Sequence, residues 1–236
     1  MSTNDDSRDH DYGRAHRALE TGSIVFVLGA LGWLAYRTAT TLDGVGDLLR
    51  VALAVFGAYL ISDFVSGFVH WAGDTVGDEN TPVFGPSFVR PFRHHHVDQM
   101  DITRHDFIEV NGNNCIVVTP VLLLVILTMP HATGAPFYTC VVTAATSFFV
   151  FCTNQFHKWA HMTKPPALVR GLQRARLILS PEHHAIHHAA PQDKYYCITV
   201  GWMNPILHKT RFFRFCEALI ARIYPRALRA RSAPTT

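Results

Sequence analysis

The residues of this sequence best suited to chemistry are histidines, and their spacing is that of ligands on helices. His157 and His161 form H-x-x-x-H within TNQFHKWAH, and His70 and Asp74 repeat that separation in HWAGD, pairing an imidazole with a carboxylate. Residues three and four apart share a helix face, so successive turns bring such side chains within reach of one ion. In SPEHHAIHHAAP, Ser180 reads as an N-cap, Pro181 as the first helical residue and Glu182 as a first-turn acid, with Pro191 ending the helix. His184, His187 and His188 then share one face. His95 and His96 complete the set inside RHHH. A lone H-x-x-x-H is most often incidental, and HHH by itself reads as a solvated run, but together these segments offer nine potential ligands. One tetrahedral zinc takes three or four protein ligands, so nine imply two metal ions. An imidazole-rich set without thiolate suits iron better than magnesium or calcium, with copper left open on softness alone.

Other polar residues fall nearby. Asp63 lies two turns before His70, inside an apolar run, where an ionisable residue is a functional or structural polar contact by default. It is a candidate to hold a histidine's second ring nitrogen, as are Asn154 and Glu109, and an interhelical hydrogen bond is the equal alternative for each. His10 and His16, in a polar N-terminal stretch, read as incidental.

Elements able to bring these segments together must exist, and the composition says of what kind. The 236 residues are 48% hydrophobic and 17% charged, against about 25% charged in an average soluble domain, and mean hydropathy is +0.11. The apolar residues are bunched into runs, near Ser23–Tyr36, Leu48–Val69, Cys115–Met129 and Phe137–Phe156. This excludes disorder and a coiled coil, and sets a water-soluble helical bundle well behind four membrane spans. Four spans place both termini on one side. Of 21 Lys and Arg, all but Arg37 and Arg50 fall in the N-terminal tail, the long polar connector Trp71–Asn114, or the region after Phe156. The positive-inside bias puts those three regions in the cytoplasm, and every ligand segment with them. The expected fold is therefore an all-α integral membrane protein of about four transmembrane helices with a cytoplasmic His-rich helical cap. Its parts are a disordered N-terminal tail (1–20), a membrane-embedded domain (21–220) and a basic C-terminal tail (221–236). A net charge of +3 and a pI near 8.7 are too mild to suggest nucleic acid and fit a membrane surface. Five cysteines, an odd number without C-x-x-C spacing, suggest neither a disulfide framework nor a thiolate zinc site, and point to a reducing compartment. No small-residue cleavage site follows the first apolar run closely enough to read as a signal peptide.

Four stretches are specific enough to carry a family resemblance: DFVSGFVHWAGDT (from Asp63), RPFRHHHVDQMDITRHDFIEVNGNNC (from Arg90), TNQFHKWAH (from Thr153) and EHHAIHHAAPQDKYYCITVGWMN (from Glu182). In order and spacing, from Asp63 to near Glu217, the sequence resembles the plasmanylethanolamine desaturases, the Kua or CarF-type lipid desaturase family. The resemblance implies a membrane-embedded, His-ligated diiron enzyme that uses O₂ to introduce the vinyl ether double bond of a plasmalogen into an alkyl ether phospholipid. The positions it implies as essential are His70, Asp74, His95, His96, His157, His161, His184, His187 and His188, the set that spacing selects. His105 and His183 also match close family members and rank below the nine as ligands or their supports. His94 stands where the family commonly has Glu, which argues against it as a ligand, and Gln99 where it commonly has Pro. A related branch, similar to plant plastid enzymes, desaturates an acyl chain of phosphatidylglycerol; the ITRHDFIEVNGNNC stretch looks more like the ether-lipid branch. An alkyl hydroxylase, or a metal-binding membrane sensor or transporter, are the other classes compatible with the histidines.

Two electrons per turnover must come from outside, because the chain has neither a Gly-rich dinucleotide fingerprint nor a cysteine pattern for an iron–sulfur cluster. The expected partners are a membrane phospholipid substrate and a small electron carrier, of haem cytochrome or ferredoxin type, with its reductase. Arg90 and Arg93 are candidates for the lipid headgroup, and Trp71 and Trp202 for the interface. The expected location is the bacterial inner membrane or its equivalent, with the active site on the cytoplasmic face.

Overall fold

A computed structural model describes residues 13–82 and 84–228, and among them the regular structure is helical, with no strand. In chain order it comprises α1 (Arg14–Thr41), α2 (Val45–Thr75), a π-helical turn (Gly85–Val89) running into α3 (Arg90–Val97), α4 (Asp101–Arg104), α5 (Phe107–Thr128), α6 (Gly134–His161), α7 (Ala167–Arg174), α8 (Pro181–His188), α9 (Asn204–Lys209) and α10 (Phe212–Ile223). The four long helices, α1, α2, α5 and α6, coincide with the four apolar runs. Only 17 to 39% of the residues in their most apolar windows are buried within the protein; such helices, apolar on the outside, belong in lipid. At 1.5 Å per residue the 22 residues of α5 extend about 33 Å, enough to cross about 30 Å of hydrocarbon. The 31 residues of α2 extend about 46 Å, so one or more of its turns stand clear. The chain is an integral membrane protein.

Two compact units divide the chain, one of residues 1–58 and 105–151, the other of 59–104 and 152–236, so that α2 and α6 each contribute to both. In the first, α1 packs along α5, burying Val27, Ala30 and Leu34 on one side and Cys115, Val118 and Leu122 on the other. Asp106 caps α5, accepting from the backbone N–H of Ile108 and Glu109, and also takes two hydrogen bonds from the Arg17 guanidinium. Arg17, paired with the Asp106 cap of α5, and Glu20, fully buried against Gly112 of α5 with His16 3.3 Å from its carboxylate, explain why α1 starts inside the segment expected to be a disordered tail. The rest of that tail, residues 1–12, lies outside the described residues.

The second unit holds the remaining elements around two small cores. Trp71, Tyr196, Cys197, Leu207 and Phe213 form one, and Ala160, Leu179 and Ile198 the other. An irregular loop between α8 and α9 threads through both. It lies so close to α2 that a Cβ on Gly67 would come within 2.4 Å of Cys197 Sγ. The segment expected to be a basic tail begins as structure, since α10 continues to Ile223 and a short 3₁₀ turn (Pro225–Ala227) follows.

Candidate metal centre

All nine residues singled out by spacing belong to the second unit, and they assemble there into two groups. One is His95, His157, His161, His184 and His188; the other is His70, Asp74, His96 and His187; within each, the candidate ligand atoms all lie within 4.8 Å of one another. Four elements build them. The end of α2 supplies His70 and Asp74, α3 supplies His95 and His96, the end of α6 supplies His157 and His161, and α8 supplies His184, His187 and His188. Ser180 does cap α8, accepting from the N–H of His183, so the local reading of that helix holds. The approach of α3 to α2 depends on Gly73, where a Cβ would sit 2.5 Å from the Phe92 ring.

The polar atoms inside these groups are arranged as ligands, not as hydrogen-bonding partners. His184 Nε2 lies 2.8 Å from His157 Nε2, 2.9 Å from His161 Nε2 and 2.9 Å from His188 Nε2. One nitrogen carries one proton or one lone pair, so it cannot serve three neighbours of its own kind. Two nitrogens each about 2.1 Å from a common ion and at right angles are about 3 Å apart, which these contacts match. In the second group Asp74 Oδ2 lies 3.0 Å from His96 Nε2, 3.4 Å from His187 Nε2 and 3.5 Å from His70 Nε2. Yet those four atoms, and His95 Nε2, are buried without a hydrogen bond of good geometry. Buried polar atoms normally find partners; five that converge within their groups fit a cation as the shared partner.

Tautomers agree. His70 Nδ1 donates to the Tyr196 carbonyl at 3.2 Å and His187 Nδ1 to that of Lys194 at 2.9 Å, which leaves each Nε2 as a lone pair facing inward. Burial favours neutral rings as well. It is the main cause that lowers the His95 and His184 pKa and pushes His188 down to about 2, with neighbouring histidines adding to it. Neutral imidazole is the metal-binding form.

The supporting residues divide differently from expectation. Asp63 does not touch a histidine ring: Oδ1 accepts from the backbone N–H of Val200 (2.9 Å) and Gly201 (2.8 Å), and Oδ2 from Met203 (2.9 Å). It anchors the loop whose Tyr196 and Lys194 carbonyls orient His70 and His187. Ser66 holds the same loop through the Ile198 N–H at 3.0 Å. Asn204 closes it on Cys197 in both directions and approaches His183 Nε2 at 3.0 Å, so His183 supports the loop from outside both groups. His105, 2.5 Å from Glu109 on α5, belongs to the first unit. His94 is exposed, beside Asp101. Asn154 is half-buried one turn before His157. Arg93, only 10% exposed, donates to the Gly77 carbonyl at 2.8 Å and lies 3.7 Å from Glu79, so it ties the connector together, while Arg90 is exposed. The carbonyls of Tyr196 and Lys194 escaped the sequence reading because backbone acceptors have no residue-type signature. Gly73, inside HWAGD, was readable as a site of close backbone approach.

Comparison with known proteins adds to this geometry. A family model described as a lipid desaturase domain matches residues 59–231. A Myxococcus xanthus protein named plasmanylethanolamine desaturase is 50% identical over 89% of this chain and 73% of its own length. A mouse protein named plasmanylethanolamine desaturase 1 is 45% identical over 72% of this chain and 65% of its own. The chloroplast fatty acid desaturase 4 of Arabidopsis thaliana is 38% identical over 72% of this chain and 51% of its own. No solved structure matches. The domain match covers both ligand groups and most of the chain's length, and the chain belongs to the lipid desaturase family.

Proposed function

We propose that this chain desaturates the alkyl chain of an ether phospholipid beside the ether oxygen, forming the vinyl ether of a plasmalogen, and that the two ligand groups each hold an iron ion. The observation that carries the reading is the division of nine buried or half-buried donors into two neighbouring sets in a chain 50% identical to a protein named plasmanylethanolamine desaturase. When bound, the two ions would supply, with O₂ and two external electrons, the oxidising power to remove two hydrogens from adjacent unactivated carbons, which no side chain has. Water is the other product.

The chain's own residues prepare that chemistry. His95, His157, His161, His184 and His188 would hold one ion, and His70, Asp74, His96 and His187 the other. Asp74 brings the one carboxylate and so offsets part of the cationic charge. The Tyr196 and Lys194 carbonyls fix two imidazoles in the ligand tautomer before any ion arrives, and burial of His70, His184 and His187 keeps bulk water away. None of the five free cysteines belongs to either group. Electrons therefore come from a separate carrier, of haem cytochrome or ferredoxin type, with its reductase. The positive-inside bias supports a cytoplasmic position for the ligand groups.

The test is expression in cells that contain alkyl ether phosphatidylethanolamine but no vinyl ether, with acid-labile lipid quantified by mass spectrometry. Vinyl ether lipid is expected with the parent chain and absent with His187→Ala. If an iron-loaded parent chain makes none, the ether substrate is wrong, and a desaturated or hydroxylated acyl chain in the same extract identifies what replaces it.

A further inference from the structure

Helix α10 has three faces, and two of them are accounted for. Phe213 and Ile220 pack into the core around Trp71; the Phe213 and Trp71 rings stack with centroids 5.5 Å apart, and the Trp71 indole N–H points at Glu217 Oε1, 3.4 Å away. At about 100° per residue, Arg214, Ala218 and Ala221 fall on a second, exposed face of small and basic residues. Phe215, Leu219 and Ile223, at i, i+4 and i+8, line the third, and they are 66, 49 and 75% exposed. Exposed Arg211 and Arg222 border this stripe.

The depth of the helix follows from what it packs against. Phe212 meets Phe64 of α2 with ring centroids 5.4 Å apart, and Phe64 in turn meets Phe68, itself 43% exposed. Both belong to the last turns of the apolar run that α2 carries through the bilayer, where hydrocarbon gives way to headgroups. The stripe on α10 is thus continuous with a surface already in lipid, its bordering charges are both positive, and the helix's single acid is turned toward Trp71. A helix with an apolar stripe, basic borders and this depth has the signature of one lying in the membrane surface.

We propose that α10 lies in the plane of the bilayer surface, with Phe215, Leu219 and Ile223 among the acyl chains and Arg211 and Arg222 on phospholipid phosphates. Because Trp71 directly follows His70, a helix held this way sets the height of the His70 turn above the hydrocarbon. The inference rests on α2 crossing the membrane and not on the reaction assigned to the metal centre, and its test needs no turnover.

The full chain, one copy per lipid nanodisc of phosphatidylcholine and phosphatidylglycerol, would carry an encoded environment-sensitive fluorescent amino acid at Leu219 or, in a second variant, at Ala221. Lipids brominated on the acyl chain quench a fluorophore in the hydrocarbon, and iodide quenches one in water. The expected result is at least threefold stronger quenching by brominated lipid at 219 than at 221, with iodide showing the reverse order. Arg211→Gln with Arg222→Gln should halve the response of the 219 emission to added phosphatidylglycerol. Equal quenching at the two positions overturns the proposal. So does protection of 219 from both quenchers, the result that a protein partner on the stripe would give.

Discussion

Asp63 shows how a single residue far from the chemistry governs it. Its carboxylate satisfies three backbone amides of the loop that orients His70 and His187. Hydrogen bonds to a charged group are worth about 1.5 to 3 kcal/mol each, and losing all three leaves buried amides unpaired. Asp63→Ala is therefore expected to cost on the order of 3 kcal/mol or more in unfolding of the detergent-solubilised protein and to lower bound metal, with Ser66→Ala costing about 1 kcal/mol. Asp63 was legible as important, since a carboxylate in an apolar run needs a reason, but its partners were not: amides of an irregular loop 137 residues away leave no trace in sequence. The histidines were legible because ligation demands both a residue type and a spacing. Their neighbours sharpen the point. His94 is exposed while His95 next to it is buried, so metal analysis should find His94→Ala indistinguishable from the parent and His95→Ala depleted.

Among the elements, the apolar runs forecast the four long helices because lipid imposes length and composition together. What they missed was where helices begin. Helix α1 gains its first turns from Arg17, which pairs with the Asp106 cap of α5, and a polar segment reads as tail until that partner is known. The Asp106 carboxyl is held at about 2, chiefly by the Arg17 guanidinium and then by the Glu109 N–H. Its folded pKa is below the unfolded value near 4, so its stabilising contribution is complete above that pH and fades as pH falls toward 2. Asp106→Ala should remove that acid-side slope and, through loss of the N-cap, about 1 kcal/mol at neutral pH. Packing between α2 and α3 makes a second prediction. Gly73→Ala forces the Phe92 ring away and should cost roughly 1 to 3 kcal/mol together with metal content, whereas Gly57→Ala, with nothing within 4 Å of the new methyl, should be neutral or stabilising by up to about 1 kcal/mol. Thermal unfolding followed alongside metal analysis separates the two.

At the scale of the whole molecule, spacing singled out nine candidate ligands but not their partition, because which imidazoles could share an ion depends on helix positions that spacing does not contain. The partition cuts across elements. Adjacent residues of α3 go to different groups, His95 to one and His96 to the other, and α8 likewise sends His184 and His188 one way and His187 the other. Two short helices are thereby clamped from both sides. An ion filling either group would immobilise α3 and α8 and so pre-form the other, an entropic saving passed from the first ion to the second. Anaerobic titration of the metal-free protein with ferrous ion, read by native mass spectrometry, should accordingly show empty and doubly loaded molecules with few singly loaded ones between them; a statistical distribution would mean the two sets fill independently. A cell short of iron would then hold a mixture of fully competent and wholly inert molecules, not a population uniformly half-supplied.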